Sequence, residues 1–168
     1  MPSSIAITLT FSTTAPPAAV WAAIEAAPRW PEVLDDLREA WIEPDGRLAV
    51  GAVMRSIAKP GSDWADMTYR VVAARRPRHL AIETTVGNCR SRADYAIEAS
   101  DGGAKVTLAA ALEPMRALDK VILFLAGRRY LGQFKAELQK RMRAMLTLAE
   151  RIAEAEAAGG NRRTDSKP

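Results

Sequence analysis

The stretch ALDKVILFLAGRRYLGQFKAELQKRMRAMLTLAERIAEAEA, residues 117–157, decides the fold. Its apolar residues Leu118, Val121, Ile122, Leu125, Leu131, Phe134, Leu138, Met142, Met145, Leu148 and Ile152 recur at threes and fours, the spacing of an amphipathic helix. Upstream of Pro114 the spacing is two. One strand and one short helix open the chain, alternating segments follow, and a long helix closes it. That order predicts an α+β domain, with a curved antiparallel sheet wrapped around its C-terminal helix. A straight helix over these residues would span about 60 Å at 1.5 Å per residue. That exceeds the short dimension of a domain this size. A kink or break is therefore expected at Gly127 or Gly132, with an exposed end over residues 150–158.

Working back from the helix, Ile5, Ile7, Leu9 and Phe11 alternate with Ala6, Thr8 and Thr10, a strand with one buried face. Thr13 or Thr14 can cap a helix, and Pro16 or Pro17 suits its first turn. Val20, Trp21 and Ile24 share one face of it, and Pro28 and Pro31 end it. Residues 29–34 then read as a second short helical turn. Six strands are expected at 37–43, 48–58, 64–74, 79–86, 89–99 and 104–112, separated by Pro44-Asp45-Gly46, Pro60-Gly61, Arg75–Arg78 and Asp101-Gly102-Gly103. Gly51 reads as a bulge or close approach within its strand. In the 64–74 strand Ala65, Met67, Tyr69 and Val71 share the inner face. In the 89–99 strand Ala93, Tyr95, Ile97 and Ala99 do. Residues 1–158 are expected to form one domain, and 159–168, polar and without periodicity, a disordered tail.

Composition bounds the function. At 168 residues, with 48% apolar and 26% charged residues, the chain can bury roughly 70% of its unfolded surface. The single cysteine, Cys89, allows no intrachain disulfide and no cysteine zinc site, and a reducing cytoplasm is the expected compartment. No apolar run approaches the roughly 20 residues of a spanning helix, and residues 1–11 do not read as a signal peptide. The formal charge is +4. Arg116, Lys120, Arg128, Arg129, Lys135, Lys140, Arg141 and Arg143 crowd residues 116–143, where only Asp119 and Glu137 oppose them. Such a stretch is either a solvated helix face or a peripheral contact with an anionic membrane. Nucleic acid is disfavoured, because no aromatic residues interleave with the charges.

The opening strand leading into Ala15-Pro16-Pro17-Ala18-Ala19-Val20-Trp21, Trp30-Pro31 in the next turn, Gly51, Arg76-Pro77-Arg78-His79-Leu80 between strands, Asp101-Gly102-Gly103 before Lys105-Val106-Thr107-Leu108, and the closing helix carry a resemblance. Over residues 4–155 the chain resembles the SRPBCC superfamily. That group includes START lipid-transfer domains, plant pathogenesis-related allergens and bacterial polyketide cyclase/dehydrase-like proteins. The resemblance implies a helix-grip fold with a pocket between sheet and final helix and a small hydrophobic or lipid-like ligand. It does not choose among binding protein, cyclase and interaction module.

Trp30, Trp64, Met67, Tyr69, Tyr95, Met115, Phe124 and Tyr130 are the candidate pocket residues, with plain packing as the alternative. Arg55, Glu83, Arg90 and Arg128 are the polar candidates; a one-residue slip of register would turn any strand member of this set outward. For catalysis, Tyr69, Tyr95 and Glu83 are the acid–base candidates, and two of them converging in one cavity would favour chemistry over carriage. The lone His79 sits in a basic turn, which argues against a metal or a Ser–His–acid triad. Cys89 reads as a buried thiol, and no nucleotide-binding glycine pattern is present. No cofactor is expected. The sequence leaves the oligomeric state open.

Overall fold

The computed structural model describes residues 4–59 and 63–164; the side chains of Val86, Ala117 and residues 120–130 and 160–164 lie outside the described set. Seven strands form one antiparallel sheet: β1 (Ile5–Thr13), β2 (Leu37–Glu43), β3 (Val53–Ala58), β4 (Ala65–Arg75), β5 (His79–Val86), β6 (Cys89–Ser100) and β7 (Gly103–Pro114). Their order is β1-β7-β6-β5-β4-β3-β2. From β2 to β7 each strand pairs with its successor, as short turn-forming connections dictate. The first and second strands occupy opposite edges. Helix α1 (Pro17–Glu25) and a 3-10 turn (Ala27–Glu32) carry the chain between those edges, and α2 (Ala117–Thr164) returns over the same face.

Period-two burial makes the sheet one-sided. In β7 Ala104, Val106, Leu108, Ala110 and Leu112 are buried, while alternate residues are not. Met54, Ser56 and Ala58 of β3 are buried on the same face. The core lies under α1 and the C-terminal half of α2. Trp21, Leu108 and Leu148 are fully buried there, and burial of each such side chain contributes about 1.5–3 kcal/mol.

Local chemistry departs from the sequence expectations at four places. Strand β3 starts at Val53, not at residue 48. Gly51 adopts φ +89° in the turn before it, and its N–H donates to Val71 O at 2.9 Å. A positive φ reverses the chain there, which only glycine does without strain. Irregular pairing occurs instead between Leu37 and Glu39 in β2 and between Val71 and Ala73 in β4. Helix α1 is capped at Pro16 without a side-chain hydrogen bond. Thr13 Oγ1 accepts from the Ala15 N–H at 3.1 Å and donates to Glu150 Oε1 at 2.7 Å, tying β1 to α2.

The fourth departure is α2. It is assigned as one element through both Gly127 and Gly132, and its bounds continue past residue 158 to Thr164. At 1.5 Å per residue this is about 70 Å. The length is taken up by overhang rather than by a break: Leu118 is 70% exposed near one end, and residues 154–159 are exposed near the other.

The start of β7 passes close to the end of β1. A Cβ on Gly103 would lie 2.0 Å from Thr13 O and 2.8 Å from Thr14 Cα. Both are backbone atoms, so relief requires moving a strand. Gly103→Ala is expected to destabilise the protein by about 1–3 kcal/mol, read as a lower urea midpoint; an unchanged midpoint contradicts this close approach.

Candidate functional site

Between sheet and helix lies a cavity of about 520 Å3, within the range of small-molecule sites. The sheet supplies Met54, Met67, Leu80, Ile82, Ala93 and Leu108 from the inward faces of β3 to β7. Helix α2 supplies Phe134, Leu138, Met142 and Met145, one stripe at threes and fours. Val20, Ile24, Trp30 and Leu34 close one end. The Trp30 indole N–H donates to Ala23 O at 3.0 Å, so its ring is held in place and offers the cavity only its apolar surface.

Polar groups interrupt this lining. Tyr69 and Tyr95 reach it from β4 and β6, and Asp36, Glu137 and Arg141 line it as well. Arg141 Nε donates to Glu137 Oε1 at 2.7 Å, and its Nη2 donates to Asp36 Oδ2. The pair joins α2 to the connection before β2. Burial pulls the Arg141 pKa down, but Asp36 and Glu137 outweigh it and the net shift is upward. Burial also raises the Tyr69 hydroxyl; Arg141 opposes that rise, and Asp36 and Glu137 add to it. Tyr95 is pushed up to about 12, by burial first and then by Tyr69. Both phenols are therefore neutral hydrogen-bond donors at physiological pH.

Of the residues singled out from sequence, Trp30, Met67, Tyr69 and Tyr95 line the cavity. Arg55, Glu83, Trp64 and Met115 are not among its lining residues. Arg55 alternates with the buried Met54 and Ser56, which turns it to the outer face, where its Nε meets Glu43 Oε2 at 3.1 Å. Glu83 likewise faces outward and meets Arg92 at 3.2 Å, and Arg90 is exposed. Trp64 is 45% and Met115 54% exposed, just outside β4 and β7. The side chains of Phe124, Arg128 and Tyr130 lie outside the described residues.

His79 pairs with Asp94 at 3.4 Å on the outer face. Burial, then Asp119, raises the Cys89 pKa, which keeps it a thiol. Among the described residues no group of His, Cys, Asp or Glu has the arrangement of a metal site. No described helix is long and apolar enough to cross a membrane.

Sequence reasoning missed Asp36 and read Arg141 and Glu137 only as part of a solvated face or membrane contact. A signal was present. Phe134, Glu137, Leu138, Arg141, Met142 and Met145 follow one helical stripe, so a charged pair sits inside an apolar face. The cationic stretch is also less unopposed than it reads. Lys140 Nζ meets Asp35 Oδ1 at 2.9 Å and Arg141 meets Asp36; both acids come from a segment about a hundred residues earlier.

A family model described as polyketide cyclase/dehydrase and lipid transport matches residues 4–150. The chain belongs to this family. Its membership agrees with the SRPBCC resemblance and with a helix-grip fold, and the family's description spans both chemistry and transport. No protein in the curated set matches the sequence significantly. Solved structures of similar fold include Ara h 8.0201, with TM-score 0.68 and 15% identity over 87% of this chain and 97% of that one. The di-domain ARO/CYC StfQ of the steffimycin biosynthetic pathway gives TM-score 0.70 and 13% identity, over 92% of this chain and 52% of its own. The chain thus spans about half of StfQ. Norcoclaurine synthase from Thalictrum flavum, in complex with dopamine and hydroxybenzaldehyde, gives TM-score 0.62 and 12% identity over 88% of this chain and 87% of that one. At these identities the likeness is one of fold.

The tyrosine environment has a pH signature. Burial pushes the Tyr95 hydroxyl from the ordinary phenol value of 10.0 up to about 12 in the folded state. The folded state holds its proton where the unfolded state has released it, so stability falls as pH rises across that interval. Absorbance titration at 295 nm should show one of the three tyrosines ionising late. Tyr95→Phe should flatten the loss of unfolding free energy across the same interval; an equally steep loss in that variant assigns the effect elsewhere.

Proposed function

We propose that the protein binds a small, predominantly apolar molecule in the cavity between the sheet and α2. The observation that carries this reading is the cavity itself: about 520 Å3, walled by methionine, leucine, isoleucine and aromatic side chains, with neutral phenols and the Arg141 guanidinium paired to Asp36 and Glu137 among them. A ligand burying about 300 Å2 of apolar surface would gain about 7 kcal/mol. Association costs are of similar size, so the few polar contacts decide which molecules bind tightly. An interaction module of this superfamily would instead be expected to have a filled interior.

The test uses N-phenyl-1-naphthylamine, a neutral fluorescent probe, with the wild type and with Ala110→Phe. Ala110 is 3% exposed and lines the cavity, so a phenyl ring there occupies ligand space. Binding should weaken by at least about tenfold, or roughly 1.4 kcal/mol, with a far-UV spectrum like that of the wild type. Equal affinity in the folded variant would place the probe outside the cavity and overturn the reading.

A cyclase or dehydratase is the second reading, favoured by the convergence of Tyr69 and Tyr95 on one cavity. Two neutral phenols can donate hydrogen bonds to a carbonyl oxygen and to the enolate that develops from it. Both phenols are already protonated at physiological pH and have no basic site to accept a proton, so Asp36 or Glu137, rather than Glu83, would accept it. Incubation with a poly-β-ketothioester, followed by mass spectrometry for water loss, tests it. Turnover that drops at least about a hundredfold in Tyr69→Phe supports chemistry; no water loss over background ends this reading and leaves carriage.

A further inference from the structure

The cavity has a mouth, and charged pairs stand across it. Of its lining residues Lys59, Gln133 and Glu137 are solvent-exposed, whereas Leu108 and Leu146 are buried. The opening therefore lies between the end of β3 and residues 133–137 of α2, and the closed end lies under the anchored part of that helix. Beside the opening, Lys140 Nζ meets Asp35 Oδ1 at 2.9 Å, and Arg141 Nη2 donates to Asp36 Oδ2. The Lys59 N–H donates to the Asp36 carbonyl at 2.8 Å, so the two acids stand on the sheet side of the mouth and the two cations on the helix side.

The pairs grade from water to cavity. Side-chain exposure is 83% for Asp35 and 54% for Lys140, but 21% for Asp36 and 31% for Arg141, and the sheltered pair lines the cavity. Helix α2 packs mainly on α1 and β1 and less on β7. Among the described residues, the hydrogen bonds that join it to the connection before β2 are these ionic ones. Ion pairs at the water's edge part at small cost, because water takes the place of each partner. Arg141 Nε also holds Glu137 Oε1 on its own helix at 2.7 Å, so its charge stays partnered when it releases Asp36. Segments held by few apolar contacts are the ones that open locally.

We infer that the Lys140–Asp35 and Arg141–Asp36 pairs form a latch across the cavity mouth, and that ligand passes between Lys59 and residues 133–137 when the latch parts. This rests on the cavity being a ligand site. It adds the route by which ligand reaches that site and the residues that control the traffic.

Stopped-flow fluorescence with N-phenyl-1-naphthylamine reads the latch directly. The probe is neutral, so salt acts on the ion pairs rather than on the probe's approach. Raising NaCl from about 20 mM to about 500 mM cuts the reach of exposed charges from about 20 Å to about 4 Å. Wild-type association and dissociation rates should both rise at least about threefold, while the equilibrium affinity stays within about twofold, because a latch alters the route and not the bound state. Asp35→Asn/Asp36→Asn removes both acids at little change in size. At low salt it should be at least about fivefold faster than the wild type in both directions, and added salt should change it little. Faster dissociation without faster association would make Asp36 a ligand contact and overturn the latch. Equal rates in variant and wild type at low salt would overturn it too. Either result leaves the cavity reading standing. A probe that does not bind the wild type brings down the cavity reading, and the latch with it. Should the double variant not fold, the wild-type salt series and Lys140→Gln, which removes only the exposed pair, decide.

Discussion

The structure depends on where α2 touches the sheet and where it does not. Its C-terminal half is anchored: Leu148 and Ala149 are fully buried, and Glu150 accepts from Thr13 at the end of β1. Further toward its N-terminus, Phe134 and Leu138 are only half-buried, because they face the cavity rather than the floor of the sheet. Sheet curvature sets this difference. A bent surface can meet a helix along only part of its length, and the remainder encloses space.

Side chains decide how that space is used. Inward positions toward the middle of the sheet are often small or flexible: Ser56 in β3, Met67 in β4, Ser91 and Ala93 in β6, Ala110 in β7. Larger residues crowd the anchored end, where Trp21 and Leu148 are fully buried. The same domain is thus closely packed at one end and open at the other. The Arg141 link to Asp36 holds the open part at a set width, a task a charged pair can perform where a continuous apolar contact would fill the cavity.

The polar corner explains why the cavity is not simply an oily void. Tyr69, Tyr95, Asp36, Glu137 and Arg141 come from four separate segments of the chain. Their electrostatic coupling appears in the tyrosines: burial holds both hydroxyls protonated, with Asp36 and Glu137 adding to the effect at Tyr69, and Tyr69 adding to it at Tyr95. A site with neutral donors beside an ion pair can orient an oxygen-bearing molecule whether or not a reaction follows. Carriage and cyclisation therefore remain neighbours on one scaffold, as they are in the family's own description.

Much of this was legible in one dimension. Period-two alternation assigned Met67, Tyr69 and Tyr95 to the inner face, because strand geometry leaves a side chain only two directions. The spacing of apolar residues after Pro114 announced the long helix, because 3.6 residues per turn gathers them on one side. Arg55 and Glu83 were uncertain for the same reason: a shift of one residue exchanges the faces, and only the observed pairing with β4 and β6 settles it. Strand identity, helix identity and the apolar character of the interior follow from local periodicity, which neighbouring residues carry by themselves. The meeting of Asp36 with Arg141 and the gap under α2 belong to tertiary structure. They join segments about a hundred residues apart, and no local pattern encodes the distance between two such segments once the chain has closed.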